Sequence, residues 1–229
     1  MFHDTLVPFA ERRIIKMKPI IFARVTDMLY YKGITKKDKP FNGGAYVKDT
    51  GLAHECYNFS AMTFEGDEQE YCLGFAQLPG TSKNKPIELH IEKMPGCKLL
   101  KKEAVVEDAI VVFCSKAFNS QTMRVVGFYK NATVFRQQQE CVFENGDYQY
   151  FNFIAKKEDC VLLPNHERHS KSKWYVPSSG KRNSSFGFGR SNICFLGASD
   201  NPDEVAFVNR MIESIETYNG ENWINKGEE

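Results

Sequence analysis

Two apolar segments narrow the possible folds at once. Residues 109–115 (AIVVFCS) form a continuous apolar run, and residues 123–135 (MRVVGFYKNATVF) are β-branched and aromatic along their length. A short connection containing Asn119 separates them. Runs of this kind, too short for a membrane span and rich in residues that fit a pleated surface, read as adjacent core strands. The rest of the chain extends the pattern. Residues 19–25 (PIIFARV) read as a first buried strand. Segments 57–64 and 70–77 read as a hairpin across the acidic turn Glu65-Gly66-Asp67-Glu68. Residues 87–92 alternate Ile, Leu and Ile with Glu and His, as a half-buried strand would, with His90 on the polar phase. Residues 148–155 (YQYFNFIA) alternate aromatic and polar side chains, and 159–164 (DCVLLP) is a short strand that Pro164 stops. The polar stretch 30–46, ending in Asn42-Gly43-Gly44-Ala45-Tyr46, reads as a loop, and so does the long polar stretch 165–189.

One segment reads as helix. Asn201 or Asp200 can cap it, Pro202 suits its first turn, and Val205, Phe207, Val208, Met211, Ile212, Ile215 and Tyr218 share one face at helical spacing. Gly220 is placed to end it in the left-handed conformation. The expectation is an α+β fold with residues 1–16 as an extension, 17–223 as a single domain and 224–229 as a tail.

Charge and cysteines exclude several classes. The 30 Lys and Arg against 29 Asp and Glu leave a formal charge of +1, which argues against a protein held to phosphate mainly by bulk charge. Local basic runs remain, among them Arg168, Lys171, Lys173, Lys181 and Arg182. The seven cysteines include no Cys-x-x-Cys pair, and several lie among apolar neighbours, so reduced thiols in a cytoplasmic protein are expected. No signal peptide and no apolar run of spanning length is seen, so no membrane partner is expected.

No complete catalytic motif is present. There is no Gly-x-Ser-x-Gly, no phosphate loop and no His-Glu-x-x-His. His166-Glu167-Arg168-His169 carries two histidines beside a carboxylate but no evident third ligand, so no metal site, no cofactor and no catalytic residue is assigned. An enzyme of unfamiliar type would have to draw on Asp108, Glu158, Asp159 or His166. What stands out is an inventory of aromatic and amide side chains at strand ends. Reading an extruded nucleobase needs flat side chains to stack on it, amides for its edge, and basic groups for the phosphates.

Several blocks also carry a family resemblance. Residues 125–136 (VVGFYKNATVFR), 42–46 with 55–59 (NGGAY and ECYNF), 150–164, 188–193 and 218–223 resemble the N-terminal specificity region of bacterial HNH-type, modification-dependent restriction endonucleases. The pattern of the two central strands is similar to a PUA-related domain of the EVE and YTH type. The resemblance implies a strongly curved sheet or barrel with flanking helices, and a module that flips a modified base of DNA into an aromatic pocket while a nuclease domain or subunit elsewhere cuts. It departs at Phe128, where the family usually has Trp, and at Ala45, where a third glycine is usual. On this reading Tyr46, Asn58, Phe59, Tyr129 and Asn131 line the pocket, Trp174 is a lid, and Lys130, Arg136, Lys173, Arg182 and Arg190 meet phosphates. An RNA-binding domain of the same fold, a nuclease or hydrolase, and a protein-interaction domain are the alternatives.

Overall fold

The computed structural model describes residues 17–41, 54–78, 87–116, 122–143, 148–168, 173–180 and 184–227. Its spine is the expected strand pair, longer than the sequence pattern indicated: β4 (Val105–Lys116) runs antiparallel to β5 (Met123–Val142). The register slips where β4 bulges around Asp108, and Asp108 and Asn131 both take left-handed backbone angles (φ 53° and 48°). Such bulges add twist, and Asp and Asn tolerate that conformation better than most residues.

The other strands are β1 (Ile20–Arg24), β2 (Ala61–Thr63), β3 (Glu70–Gly74), β6 (Tyr148–Lys156), β7 (Cys160–Leu162), β8 (Tyr175–Val176) and β9 (Ile193–Cys194). They build one mixed sheet in the order β2-β3-β6-β5-β4-β1-β9. Among these strands only β1 and β4 pair in parallel. The second edge of β5 serves three partners in turn: β8 at Met123–Arg124, β7 at Gly127–Tyr129 and β6 from Thr133 to Val142. A strand of this length shared among three short partners bends as it passes them, and the sheet curls.

Curling gives the sheet two filled faces. Ile21, Ala23, Val111, Phe113, Tyr129 and Phe153 belong to the inner core, whereas Ile20, Phe22, Ile110, Val112 and Phe128 belong to the outer one. This explains the unbroken apolar runs in β1 and β4, because a strand covered on both sides has no polar phase. The inner core is aromatic: Phe59, Phe113 and Tyr129 meet edge to face with ring centroids 4.8–5.5 Å apart. Gly127 makes room for it, since a Cβ there would lie 2.4 Å from Phe59 Cζ and 2.5 Å from the Val161 carbonyl oxygen.

The outer face is covered by α1 (Pro202–Glu216) through Phe207, Val208, Met211 and Ile215. Asn201 caps it as expected, accepting from the Asp203 and Glu204 N–H groups at 3.0 and 3.4 Å. Its end differs from expectation. The helix stops at Glu216, and Gly220 is not among the residues with positive φ. Thr217 closes the last turn instead, its N–H and hydroxyl both donating to the Glu213 carbonyl.

Three further expectations change. Residues 54–57 form a 3-10 turn, so the strand expected over 57–64 shrinks to β2, although the hairpin with β3 is present. The segment 87–92 keeps its alternation, with Leu89 and Ile91 buried, but makes a single bridge, Glu88 to Gln137, and then a 3-10 turn at Ile91–Lys93. Alternation reports burial, and hydrogen bonding to a neighbour is a separate condition. Past the expected boundary at residue 223, Ile224 is buried in the inner core, so the fold continues into the expected tail. No helix among the described residues is long and apolar enough to cross a membrane.

Candidate functional site

One end of the sheet gathers His54, Phe75, Tyr148, Tyr150 and Asn152 into an aromatic and polar cluster. β3 pairs with β6 only as far as Gly74 opposite Phe153, then departs. The uncovered edge of β6 is taken over by side chains. Asn58 imitates a strand partner for Phe75: its Oδ1 accepts the Phe75 N–H at 2.8 Å and its Nδ2 donates to the Phe75 carbonyl at 3.0 Å. His54 accepts the Tyr150 N–H on Nδ1 at 3.3 Å. A ring nitrogen that accepts carries no proton, so the neutral imidazole bears its hydrogen on Nε2. Burial lowers the His54 pKa and favours that neutral form.

Period-two alternation in β6 puts Tyr148, Tyr150 and Asn152 on one face, with Phe151 and Phe153 on the other. The His54 ring lies 4.8 Å from Tyr150, 5.6 Å from Tyr148 and 5.4 Å from Phe75, centroid to centroid. Tyr148 is 38% exposed, so the cluster reaches solvent. Asn152 is fully buried behind it, its Oδ1 facing the Ala76 N–H at 3.5 Å. Two polar atoms are left over: His54 Nε2 and Asn152 Nδ2 are buried without a hydrogen-bond partner. Buried polar atoms are nearly always satisfied, and an exception marks a functional group or a water site. Both are N–H donors, so their common complement is an acceptor-bearing group.

The residues expected to form a pocket are placed otherwise. Asn58, Phe59 and Tyr129 do come together, but as core: all three are fully buried, and the Tyr129 hydroxyl donates to the Asn58 carbonyl. With its rings packed edge to face, this trio presents no face to a base. Asn131 is exposed at the β5 irregularity, donating to Asp159 Oδ1 at 2.9 Å and accepting from Lys18. Trp174 is 1% exposed and packs on Phe128 and Tyr218, so it is a core residue of the outer face and no lid. Tyr46 and Arg182 lie outside the described residues.

Of the expected phosphate contacts, Lys173 and Arg190 are exposed and Lys130 is half-buried. Lys173 rests over the rings of Trp174 and Tyr218. Arg136 is committed internally: Nε donates to the Glu103 carbonyl, Nη2 to the Leu100 carbonyl and Nη1 to Glu92 Oε2, each at 2.8 Å. Desolvation opposes ionisation of Glu92, but hydrogen bonds from its own backbone N–H, Arg136 and His90 outweigh it and hold the carboxyl near 2. Arg168, part of a basic run in the sequence, is buried and donates to the carbonyls of Leu163, Met28 and Leu29 at 2.7, 2.8 and 2.9 Å. Beside it Asp27 accepts from Ser115 and Arg124. These cations hold loops together.

The acids considered for catalysis do not assemble. Asp108 sits exposed on its bulge, Asp159 is bound by Asn131, Glu158 is exposed and the His166 ring lies against Trp223. Among the described residues no group of three His, Cys, Asp or Glu side chains is placed to hold a metal. The cysteines among them are free thiols, six of seven buried, and burial pushes Cys56 and Cys194 up to about 12.

The sequence pattern did not single out His54, Tyr148, Tyr150 or Asn152. The legible signal was Asn152, an amide between Phe151 and Phe153 in β6. No protein-family model matches the chain, and no curated protein or solved structure matches it either.

Proposed function

We propose that this domain is a DNA-binding specificity module that receives a modified base at the cluster of His54, Phe75, Tyr148, Tyr150 and Asn152, and that it serves a nuclease activity carried by another domain or subunit. The observation that carries this reading is the pairing of half-open aromatic rings with two buried, unpartnered N–H donors at one sheet edge. A flipped base is flat and carries carbonyl and ring-nitrogen acceptors on its rim, so it stacks on tyrosine and accepts from His54 Nε2 and Asn152 Nδ2. A purely structural aromatic cluster gains nothing from leaving two donors unmet, which costs about 1–3 kcal/mol each.

The test is fluorescence-polarisation binding to matched oligonucleotides, unmodified or carrying 5-methylcytosine, 5-hydroxymethylcytosine or N6-methyladenine, single- and double-stranded, at two salt concentrations. Selective binding to one modified duplex, lost in His54→Leu and Asn152→Leu proteins that still unfold cooperatively, supports the reading. Equal weak binding to every DNA overturns it, and a preference for the ribose strand moves the assignment to RNA.

A further inference from the structure

The segment between the 3-10 turn at Ile91–Lys93 and β4 carries the most exposed large apolar side chain among the described residues. Leu99 is 94% exposed, and Lys98, Lys101 and Lys102 around it are exposed as well. A single exposed leucine on a mobile loop would mean little. This loop is braced. Ile91, Met94 and Cys97 anchor it in the inner core, and Gly96 turns the chain in the left-handed region (φ 74°). Backbone bonds tie Cys97 to Met94, Leu100 to Cys97 and Glu103 to Leu100. The Arg136 guanidinium then grips the Leu100 and Glu103 carbonyls and the Glu92 carboxylate from below. The tip is thus held with its leucine in water and three ammonium groups beside it.

Topology puts this tip at the same end of the sheet as the His54 and Tyr148 cluster. β4 begins at Val105, opposite Phe135, whereas β5 runs on to Val142, opposite Tyr148. The β5–β6 ribbon therefore projects past the start of β4, and the 87–104 segment is strapped to its base by the Leu89–Arg136 and Arg136–Ala104 backbone bonds.

We propose that the 98–102 loop is a second contact to the nucleic acid: Leu99 enters the base stack of a duplex as an apolar wedge while Lys98, Lys101 and Lys102 hold the flanking phosphates. The inference rests on the base-reading proposal and names the partner surface that a flipped base requires. Extruding a base leaves a gap in the stack, and a rigid apolar side chain filling that gap keeps the base from returning. Lysines around the wedge fit a phosphate backbone, where a protein of formal charge +1 otherwise has little bulk attraction to offer.

The experiment compares the full chain with Leu99→Ser and with Lys101→Ala/Lys102→Ala. The probe is whichever modified duplex binds best in the panel above, carrying 2-aminopurine next to the modified base. Leu99→Ser is expected to weaken duplex binding roughly tenfold and to abolish the 2-aminopurine fluorescence rise, while leaving affinity for the same modified base in a single strand unchanged. The double lysine variant is expected to flatten the plot of log affinity against log salt by about two. Modification-selective binding that neither variant alters overturns the wedge and leaves the base site standing. Loss of modification selectivity in the unaltered protein removes both. Leu99-dependent binding to vesicles containing phosphatidylserine, with duplex binding insensitive to Leu99, assigns the tip to a membrane surface and overturns the proposal.

Discussion

Replacing Asn58 by alanine is expected to unfold the site end of the molecule at much lower denaturant, for a reason unrelated to ligand contact. The side chain is fully buried and makes two hydrogen bonds to one residue, at 2.8 and 3.0 Å, standing in for the strand partner that Phe75 lacks past the end of β3. Alanine leaves the Phe75 N–H and carbonyl unpaired inside the protein. At about 1–3 kcal/mol for each unsatisfied buried group, the loss is about 4 kcal/mol. For a domain of this size that corresponds to a fall in Tm of about 10 °C. Urea unfolding followed by tryptophan fluorescence measures it, as a lower midpoint with the same m value. A loss below about 1 kcal/mol would show that water replaces the amide and that Asn58 is not the structural surrogate the geometry describes. The distinction matters for function, since reduced ligand binding by Asn58→Ala would otherwise be read as a lost contact.

Other substitutions separate structure from recognition in the same way. Tyr129→Phe removes only the hydroxyl that donates to the Asn58 carbonyl, so a loss of about 1 kcal/mol in stability with unchanged ligand affinity is expected by denaturation and polarisation assays. Arg168→Met strands three buried carbonyls and is expected to cost about 3–5 kcal/mol, with Arg168→Lys recovering part of it because an ammonium cannot reach all three as a fork does. Burial raises the Glu55 carboxyl to about 7, although the Thr26 N–H donates to it. The folded state therefore holds the proton more tightly than the unfolded one, and stability falls as pH rises from about 4.5 to 7, by roughly 2–3 kcal/mol. Glu55→Gln keeps an acceptor for Thr26 and should remove that slope; an unchanged slope in the variant would assign it to another group. Gly127→Ala forces a methyl against Phe59 and the Val161 carbonyl and should give a lower Tm by thermal melting, by an amount equivalent to about 2 kcal/mol or more.

Much of the fold was legible because burial writes itself into period. The apolar runs of β1 and β4, the alternation in β6 and the capped face of α1 all correspond to their elements. What the sequence did not carry was long-range hydrogen bonding. Residues 87–92 have the alternation of a strand and the burial of one, yet only the Arg136 carbonyl meets the segment, accepting from Leu89, while the Arg136 N–H donates to the Ala104 carbonyl. Gly220 follows a helix whose final turn Thr217 had already satisfied. The parallel β1–β4 pairing joins segments some ninety positions apart and left no local trace.

The candidate site was harder to read, because the same residue types serve a core and a ligand. Phe59 and Tyr129 have the chemistry of a stacking platform, but Gly127 lets Phe59 close against β5, and both rings are spent on each other and on Phe113. Arg136 and Arg168 have the chemistry of phosphate ligands, but carbonyls reached them first. Residue type alone cannot separate spent groups from unspent ones; satisfaction of hydrogen bonds can. By that criterion His54 and Asn152 differ from the described residues that the sequence nominated, since each anchors one polar atom to a neighbouring backbone and leaves its other one, a donor, unmet. An arrangement in which one end of a side chain is fixed and the other is free is a preorganised donor. It loses little entropy on meeting a ligand, and this sets these two side chains apart from the larger aromatic cluster of the core.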